Sequence, residues 1–297
     1  MDFDTWDALR HGSELLAQDI SKQIYCHYTT PEAFSGIFAG HFTKVRCEPI
    51  IKCVMRASHI RFMNDSREYL DGCRWFKKYC RTSQTNEING DMYSISFCGD
   101  EDLLSQWKWY GKNSGIAITF DMSNIKFKYY DVTCPLLPDE DSNTRPLPVH
   151  YTTKEKKKYF EKIDQFCKEK QLNQSSALFR GNLFIPFCKD KGFKEEKESR
   201  LIFYTADADT MEQAGIAPFN IRYVVSGNII KPILDVEFRA KDPGRGIVKR
   251  ITVGPGQNQE LVYQGLVHIL CKKPPSGRNK TSVHGMTIQK SSIPFRG

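Results

Sequence analysis

Apolar residues recur along this chain at two periods, and the alternation between them marks out its elements. Helical spacing appears first over residues 3 to 20, at Phe3, Trp6, Leu9, Leu15, Leu16 and Ile20. It returns after Pro31, where Thr30 is a natural N-cap, Glu32 suits the first turn, Phe34, Ile37 and Phe38 form one stripe, and Gly40 is a stop. Ser66 to Cys80 repeats the pattern through Tyr69, Cys73, Phe76 and Tyr79. Further helices are predicted over Leu103 to Tyr110, over a long charged stretch from about 152 to 181, and near Gln259 to Leu270. Strand-like runs occupy Ile24 to Thr29, short pieces around 52–55 and 59–62, Met92 to Cys98, Gly115 to Asp121, Glu198 to Tyr204, Tyr223 to Val225 and Ile247 to Val253, with a last extended segment near the end. Pro135, Pro138, Pro146 and Pro148 make residues 134 to 148 a loop, and residues 272 to 282 form a basic Pro/Ser/Gly loop. This mixed order predicts a single α+β domain over residues 1–297, with an inserted loop and charged helix at about 134–181.

Composition narrows the class. The 297 residues are 40% hydrophobic and 26% charged, an ordinary globular mixture. The longest apolar runs, Gly115 to Phe120 and Leu183 to Phe187, are far too short for a bilayer, and the acidic start Met1-Asp2-Phe3-Asp4 is unlike a signal peptide. A cytoplasmic location without membrane contact is expected. The ten cysteines are scattered singly, with no C-x-x-C pair and no zinc spacing, so reduced thiols and no metal are expected. The net charge of +8 favours phosphate-rich partners. Within residues 154–170, however, lysines alternate with acids, which reads as a salt-bridged exposed helix.

Three separated segments carry residues whose chemistry fits together. On Tyr25-Cys26-His27-Tyr28-Thr29-Thr30, alternation puts His27 and Thr29 on one face and Tyr28 and Thr30 on the other. Tyr93 to Phe97, holding Ser94 and Ser96, is followed by Ser105-Gln106-Trp107-Lys108-Trp109-Tyr110-Gly111 and Gly115 to Asp121. Phe193 to Tyr204, read as an extended strand, places Glu196, Glu198 and Arg200 on one face.

Together with Phe62-Met63-Asn64-Asp65-Ser66-Arg67-Glu68, Val253-Gly254-Pro255 and Ser292-Ile293-Pro294-Phe295-Arg296, these motifs stand in the order seen in the bacterial family called domain of unknown function 2971. The chain resembles that family over most of its length; Ser66 stands where the family usually has Pro. The family in turn resembles the ADP-ribosyltransferases with a His-Tyr-Glu triad. That resemblance implies a split β-sheet core with flanking helices, and NAD as the substrate. Its implied catalytic set is Glu198, with Glu196 the alternative, Tyr110 and His27. Its implied NAD contacts are His27, Tyr28, Thr29, Ser96, Tyr110 and Arg200.

Cleaving the nicotinamide–ribose bond creates an oxocarbenium-like centre that a carboxylate stabilises, while an aromatic ring orients the leaving group. No metal is required. The acceptor implied is a macromolecule, with RNA or DNA favoured over protein by the basic charge. Isolated enzymes of this type resemble toxins of toxin–antitoxin or phage-defence systems, which implies a neutralising antitoxin protein. The rival expectation is a catalytically inactive nucleic-acid- or partner-binding module on the same fold. A nuclease ranks last, because no two-histidine or metal site assembles from the scattered His and Asp residues. The bland alternatives are ordinary ones: His27 and the helical aromatics as core filling, Glu198 as an ion-pair partner of Arg200, and Asn64, Asp65 and Glu68 as a helix cap.

Overall fold

The first described strand and helix form where local chemistry places them. Thr30 caps the helix that follows the strand, its Oγ1 accepting from the Ala33 N–H at 3.3 Å, and Pro31 takes a first-turn position where its missing N–H costs nothing. The computed structural model describes residues 16, 23–39, 48–63, 66–80, 91–110, 114–128, 145–169, 177–205, 208–213, 219–226, 228–271 and 280–294. In chain order its first elements are β1 (Ile24–Thr29), α1 (Pro31–Ile37), β2 (Lys52–His59), α2 (Ser66–Cys80), β3 (Asp91–Phe97), α3 (Leu104–Tyr110), β4 (Ile116–Asp121), β5 (Ile125–Lys128) and β6 (Leu147–Pro148). They are followed by α4 (Thr153–Glu169), α5 (Ala177–Phe184), β7 (Ser199–Thr205), α6 (Ala208–Gln213), β8 (Ile221–Ser226), β9 (Ile229–Ala240), β10 (Val248–Val253), α7 (Gln259–Leu270), β11 (Lys280–Val283) and β12 (Met286–Lys290). The chain is thus a mixed α and β protein with mostly antiparallel strand pairs, as the α+β reading expects.

Two compact units share the chain: unit 1 is residues 1–20, 56–96 and 129–235, and unit 2 is residues 21–55, 97–128 and 236–297. Unit 2 holds a five-stranded sheet in the order β1-β4-β10-β12-β11, antiparallel except for the β10–β12 pair. Its second strand, β4, is buried at all six positions, which is why Ile116 to Asp121 reads as a nearly unbroken apolar run. A second group of strands in this unit is β5, the last residues of β9 and the first of β2. There Phe127 and Phe238 lie opposite each other in register, with rings edge-on at 4.8 Å. The turn into β12 uses left-handed backbone at His284 (φ 47°) and Gly285 (φ 76°), the geometry of a two-residue hairpin.

In unit 1 the sheet runs β2-β3-β7-β6, with Ser58 opposite Ser94 and His59 opposite Tyr93. Phe76 of α2, Ile163 of α4 and Leu183 and Phe184 of α5 join Ile202 and Tyr204 of β7 in one buried core. Helix α2 comes so close to the 3-10 turn Ile185–Phe187 that a Cβ on Gly72 would stand 2.6 Å from the Ile185 carbonyl oxygen.

Several expectations are corrected. A single strand, β2, followed by the 3-10 turn Ile60–Phe62 replaces two short strands. The helix expected from 152 to 181 is two, α4 ending at Glu169 and α5 beginning at Ala177. The longest strand among the described residues, β9, has no counterpart in the sequence reading, because Pro232 and the charged Lys231, Asp235, Glu237 and Arg239 hide its alternation. Helix α6 has none either. The loop before Arg145 lies outside the described residues, and Leu147–Pro148 forms a short strand on β7. The helix expected at residues 3 to 20 also lies outside them, apart from buried, helical Leu16, as do Gly40, Asn64 and Asp65. Among the described residues no helix is long and apolar enough to cross a membrane.

Candidate functional site

Within unit 1, five ionic side chains meet at the start of β7. Arg200 is 3% exposed and its guanidinium grips the Glu198 carboxylate with both prongs, Nε to Oε1 at 2.6 Å and Nη2 to Oε2 at 2.9 Å. Its Nη2 also reaches Glu68 Oε2 at 2.5 Å, and its Nη1 donates to the Pro186 carbonyl at 2.8 Å. Lys189 completes the group, with its ammonium 2.9 Å from Glu68, 2.7 Å from Glu196 and 3.0 Å from Glu198. Three carboxylates around two cations leave the cluster one negative charge in formal terms. The Ser96 hydroxyl on β3 adds a hydrogen bond to Glu198.

The local backbone explains how these residues are delivered. Lys191–Glu196 is a 3-10 turn opened by Asp190, whose side chain accepts from the Gly192 N–H at 2.8 Å. Lys197 then takes a left-handed conformation (φ 45°), and the strand begins only at Ser199. The extended reading of Glu196 to Arg200 is therefore corrected. Glu196 shares the site through the turn and Lys189, not through strand alternation. On the other side, Thr152 and Glu155 form a capping box at the head of α4, with Glu155 Oε2 accepting from the N–H groups of Tyr151 and Thr152 at 3.0 and 2.9 Å. The Tyr151 hydroxyl thereby stands where it accepts the Glu198 N–H at 2.7 Å. Glu155 also binds Lys194 at 3.1 Å, which ties the turn to the helix.

Burial and charge pull the acids apart. Desolvation pushes Glu198 upward, but Arg200, then Lys189 and Ser96, outweigh it and hold the carboxyl well below the usual range. Glu196 shifts the other way, because its desolvation exceeds the attraction of Lys189. Lys189 resists its own desolvation through Glu198 and Glu68 and stays firmly protonated. Glu196 is also the most accessible acid of the cluster, with 17% of its side chain exposed against 6% for Glu198 and 9% for Glu68.

Ser96, Glu196, Glu198 and Arg200, named from sequence, are thus assembled in unit 1. Glu68, which its N-D-x-x-E setting marks in the sequence as part of a helix cap, joins them from α2. Lys189 and Tyr151 give no signal in the sequence: Lys189 follows the apolar run Leu183 to Cys188, and Tyr151 follows His150 after a proline-bearing loop.

His27, Tyr28, Thr29 and Tyr110 belong to unit 2. His27 is half-buried on β1, edge-on to Phe97 at 6.1 Å. The Tyr28 hydroxyl accepts from the Leu103 N–H and donates to the Asp100 carbonyl, both at 2.9 Å, and its ring meets Trp107 edge-on at 4.7 Å. Burial raises this phenol far above its usual range. Thr29 is buried opposite Ile116, and Tyr110 ends α3 with its side chain outside the described set. Trp107 is the hub of this unit's motifs. Its indole N–H donates to Asp102 at 2.8 Å, Asp102 also accepts from the Ser292 N–H at 3.1 Å, and Gly254 lies so near the ring that a Cβ would stand 2.5 Å from it.

Residues 106–201 match the model of a family described as Protein of unknown function (DUF2971). The matched stretch runs from Gln106 and Trp107 through Glu196, Glu198 and Arg200, and it supports the DUF2971 resemblance there. No curated protein and no solved structure matches the chain.

Proposed function

We propose that the protein splits NAD and transfers ADP-ribose to a macromolecular acceptor, with Glu196 as the carboxylate that faces the ribose. The observation behind this choice is the uneven division of labour among the clustered acids. Both Glu198 oxygens serve Arg200 and Lys189, whereas Glu196 stands at the accessible rim of a net-negative cluster. A desolvated carboxylate there is suited to a transition state that develops positive charge on a sugar. Glu198, itself held by Arg200, then acts as a positioning residue for Lys189, which binds Glu196. RNA or DNA is the proposed acceptor class, and a toxin or defence role with a neutralising partner is the proposed setting.

The test is nicotinamide release from NAD by purified protein with nucleic acid and cell extract supplied as acceptors. Glu196→Gln is expected to lower the rate by roughly 10²-fold or more, the scale of losing one electrostatic stabiliser. An unchanged rate ends the role of Glu196. Absence of release by the wild-type protein, under all acceptor conditions, ends the enzyme reading. That outcome leaves the second reading, a binding module, which the saturated Arg200–Glu198 pair favours as a purely structural ion network.

A further inference from the structure

The chain's net positive charge lies in one of its units. Unit 2 holds 19 Lys and Arg against nine Asp and Glu, a formal +10, while unit 1 holds 24 against 26, a formal −2, giving the chain its +8. Within unit 2, the three-stranded group β5-β9-β2 sorts its residues by face. Ile125, Phe127, Val236, Phe238, Cys53 and Met55 are buried. The alternate positions carry Lys126 and Lys128 on β5, Glu237 and Arg239 on β9, and Lys52 and Val54 on β2.

Register sharpens the point. Lys126 stands directly opposite Arg239, a like-charged cross-strand pair of a kind that destabilises a sheet. Glu237 lies opposite Lys128 and contacts both Lys52 and Arg239. It is the one acid among these six positions. Desolvation lowers the Lys52 pKa, and the neighbouring charges of Arg239 and Lys128 lower it further, so these cations feel one another.

We propose that this outer face of unit 2 binds a single strand of nucleic acid through its phosphates, with Lys52, Lys126, Lys128 and Arg239 as the contacts. Phosphates laid along this face would meet several of these cations at once and ease the repulsion between Lys126 and Arg239. Cations two residues apart on a strand are about 6.8 Å apart, and neighbouring strands are about 4.8 Å apart. An extended strand of nucleic acid can lay successive phosphates along such a row. A duplex, whose phosphates curve away across its grooves, touches a flat patch at fewer points. The only uncharged side chain among the six positions is Val54, so no aromatic ring is offered for base stacking. Binding is therefore indifferent to base sequence and to the sugar. This inference rests on charge and register alone, independently of NAD chemistry.

The experiment is fluorescence anisotropy without NAD, using labelled oligo-dT and oligo-U of about 20 nucleotides over a salt series. Each neutralised phosphate contributes about −0.7 to the slope of log K against log salt for single strands, so Lys126→Gln with Lys128→Gln should flatten it by about 1.4 and weaken binding roughly tenfold or more at about 50 mM salt. Glu237→Gln should tighten binding several-fold, a gain that a misfolded variant cannot produce. Lys157→Gln with Lys158→Gln, on α4 of unit 1, should change nothing. The proposal is overturned if the β5 pair of variants binds like wild type, if the α4 pair weakens binding equally, or if Glu237→Gln fails to tighten it. Tighter binding of a duplex, or equal competition by polyglutamate, overturns it as well.

Discussion

His150 is held by its neighbours in a state that water would not choose. Its ring lies 4.2 Å from that of Tyr159, and its Nε2 meets no hydrogen-bond partner among the described residues. Burial is the chief cause that pushes its pKa down to about 4; Lys156 and Lys162 add to this, and Glu155 opposes it. A depressed histidine binds a proton more readily unfolded than folded. Its contribution to stability is therefore present above the unfolded value near 6.5 and is lost as pH falls towards 4. Between pH 6.5 and 5 the loss should be about 2 kcal/mol, read as a falling urea midpoint. In His150→Gln that fall should flatten, and an equally steep curve would remove His150 as its source. The Arg200 cluster acts on the opposite principle. Lys189, Glu198 and Arg200 stay charged because each has partners, so deleting one member strands the others. Glu68→Ala, which removes an acid shared by Arg200 and Lys189, should destabilise the protein by about 3–5 kcal/mol in equilibrium unfolding. A loss below about 1 kcal/mol would mean that water replaces the carboxylate freely.

Among the elements, α2 is the one whose placement matters most to the site. It presents Glu68 to Arg200 and Asp71 to the buried Lys156, whose ammonium also lies 5.2 Å from the Trp75 ring. Gly72 lets the helix approach the turn whose Pro186 carbonyl holds Arg200. Gly72→Ala improves helix propensity by about 1 kcal/mol yet forces a methyl against backbone, so a net loss of about 1–3 kcal/mol is expected from thermal unfolding. A stabilised variant would show that the helix can slide without cost. The same comparison shows what was legible. The sequence of α2, α7, β1 and β4 carries strong apolar periodicity or a cap, and these elements form within a residue or two of where they were expected. The split between α4 and α5, and the strand β9, depend on tertiary pairing that no local pattern displays. Site residues followed the same rule. Glu196, Glu198, Ser96 and Arg200 announced themselves by crowding acids or hydroxyls into short motifs. Lys189 is a lone lysine after an apolar run, and only its three partners give it meaning.

For the whole molecule, the separation of charge between the units has consequences beyond binding. A formal +10 within unit 2 means self-repulsion, which falls as salt shortens the screening length from about 10 Å at 0.1 M to about 3 Å at 1 M. Unit 1 has almost no net charge to relieve. Instead it carries attractive pairs, such as Lys157 with Glu161 and Lys168 with Asp164 along α4, which salt weakens. Adding salt should therefore slow amide hydrogen exchange in β4 and β10 of unit 2 and leave β7 and α4 of unit 1 level or slightly faster. Peptide-resolved exchange at low and high sodium chloride measures both units in one sample. If protection moves by the same amount in the two units, repulsion within the basic unit is not what limits its local stability. If it moves as expected, saturating single-stranded oligonucleotide at low salt should reproduce the effect of salt on β5 and β9 selectively, since phosphates would then supply the screening at one face.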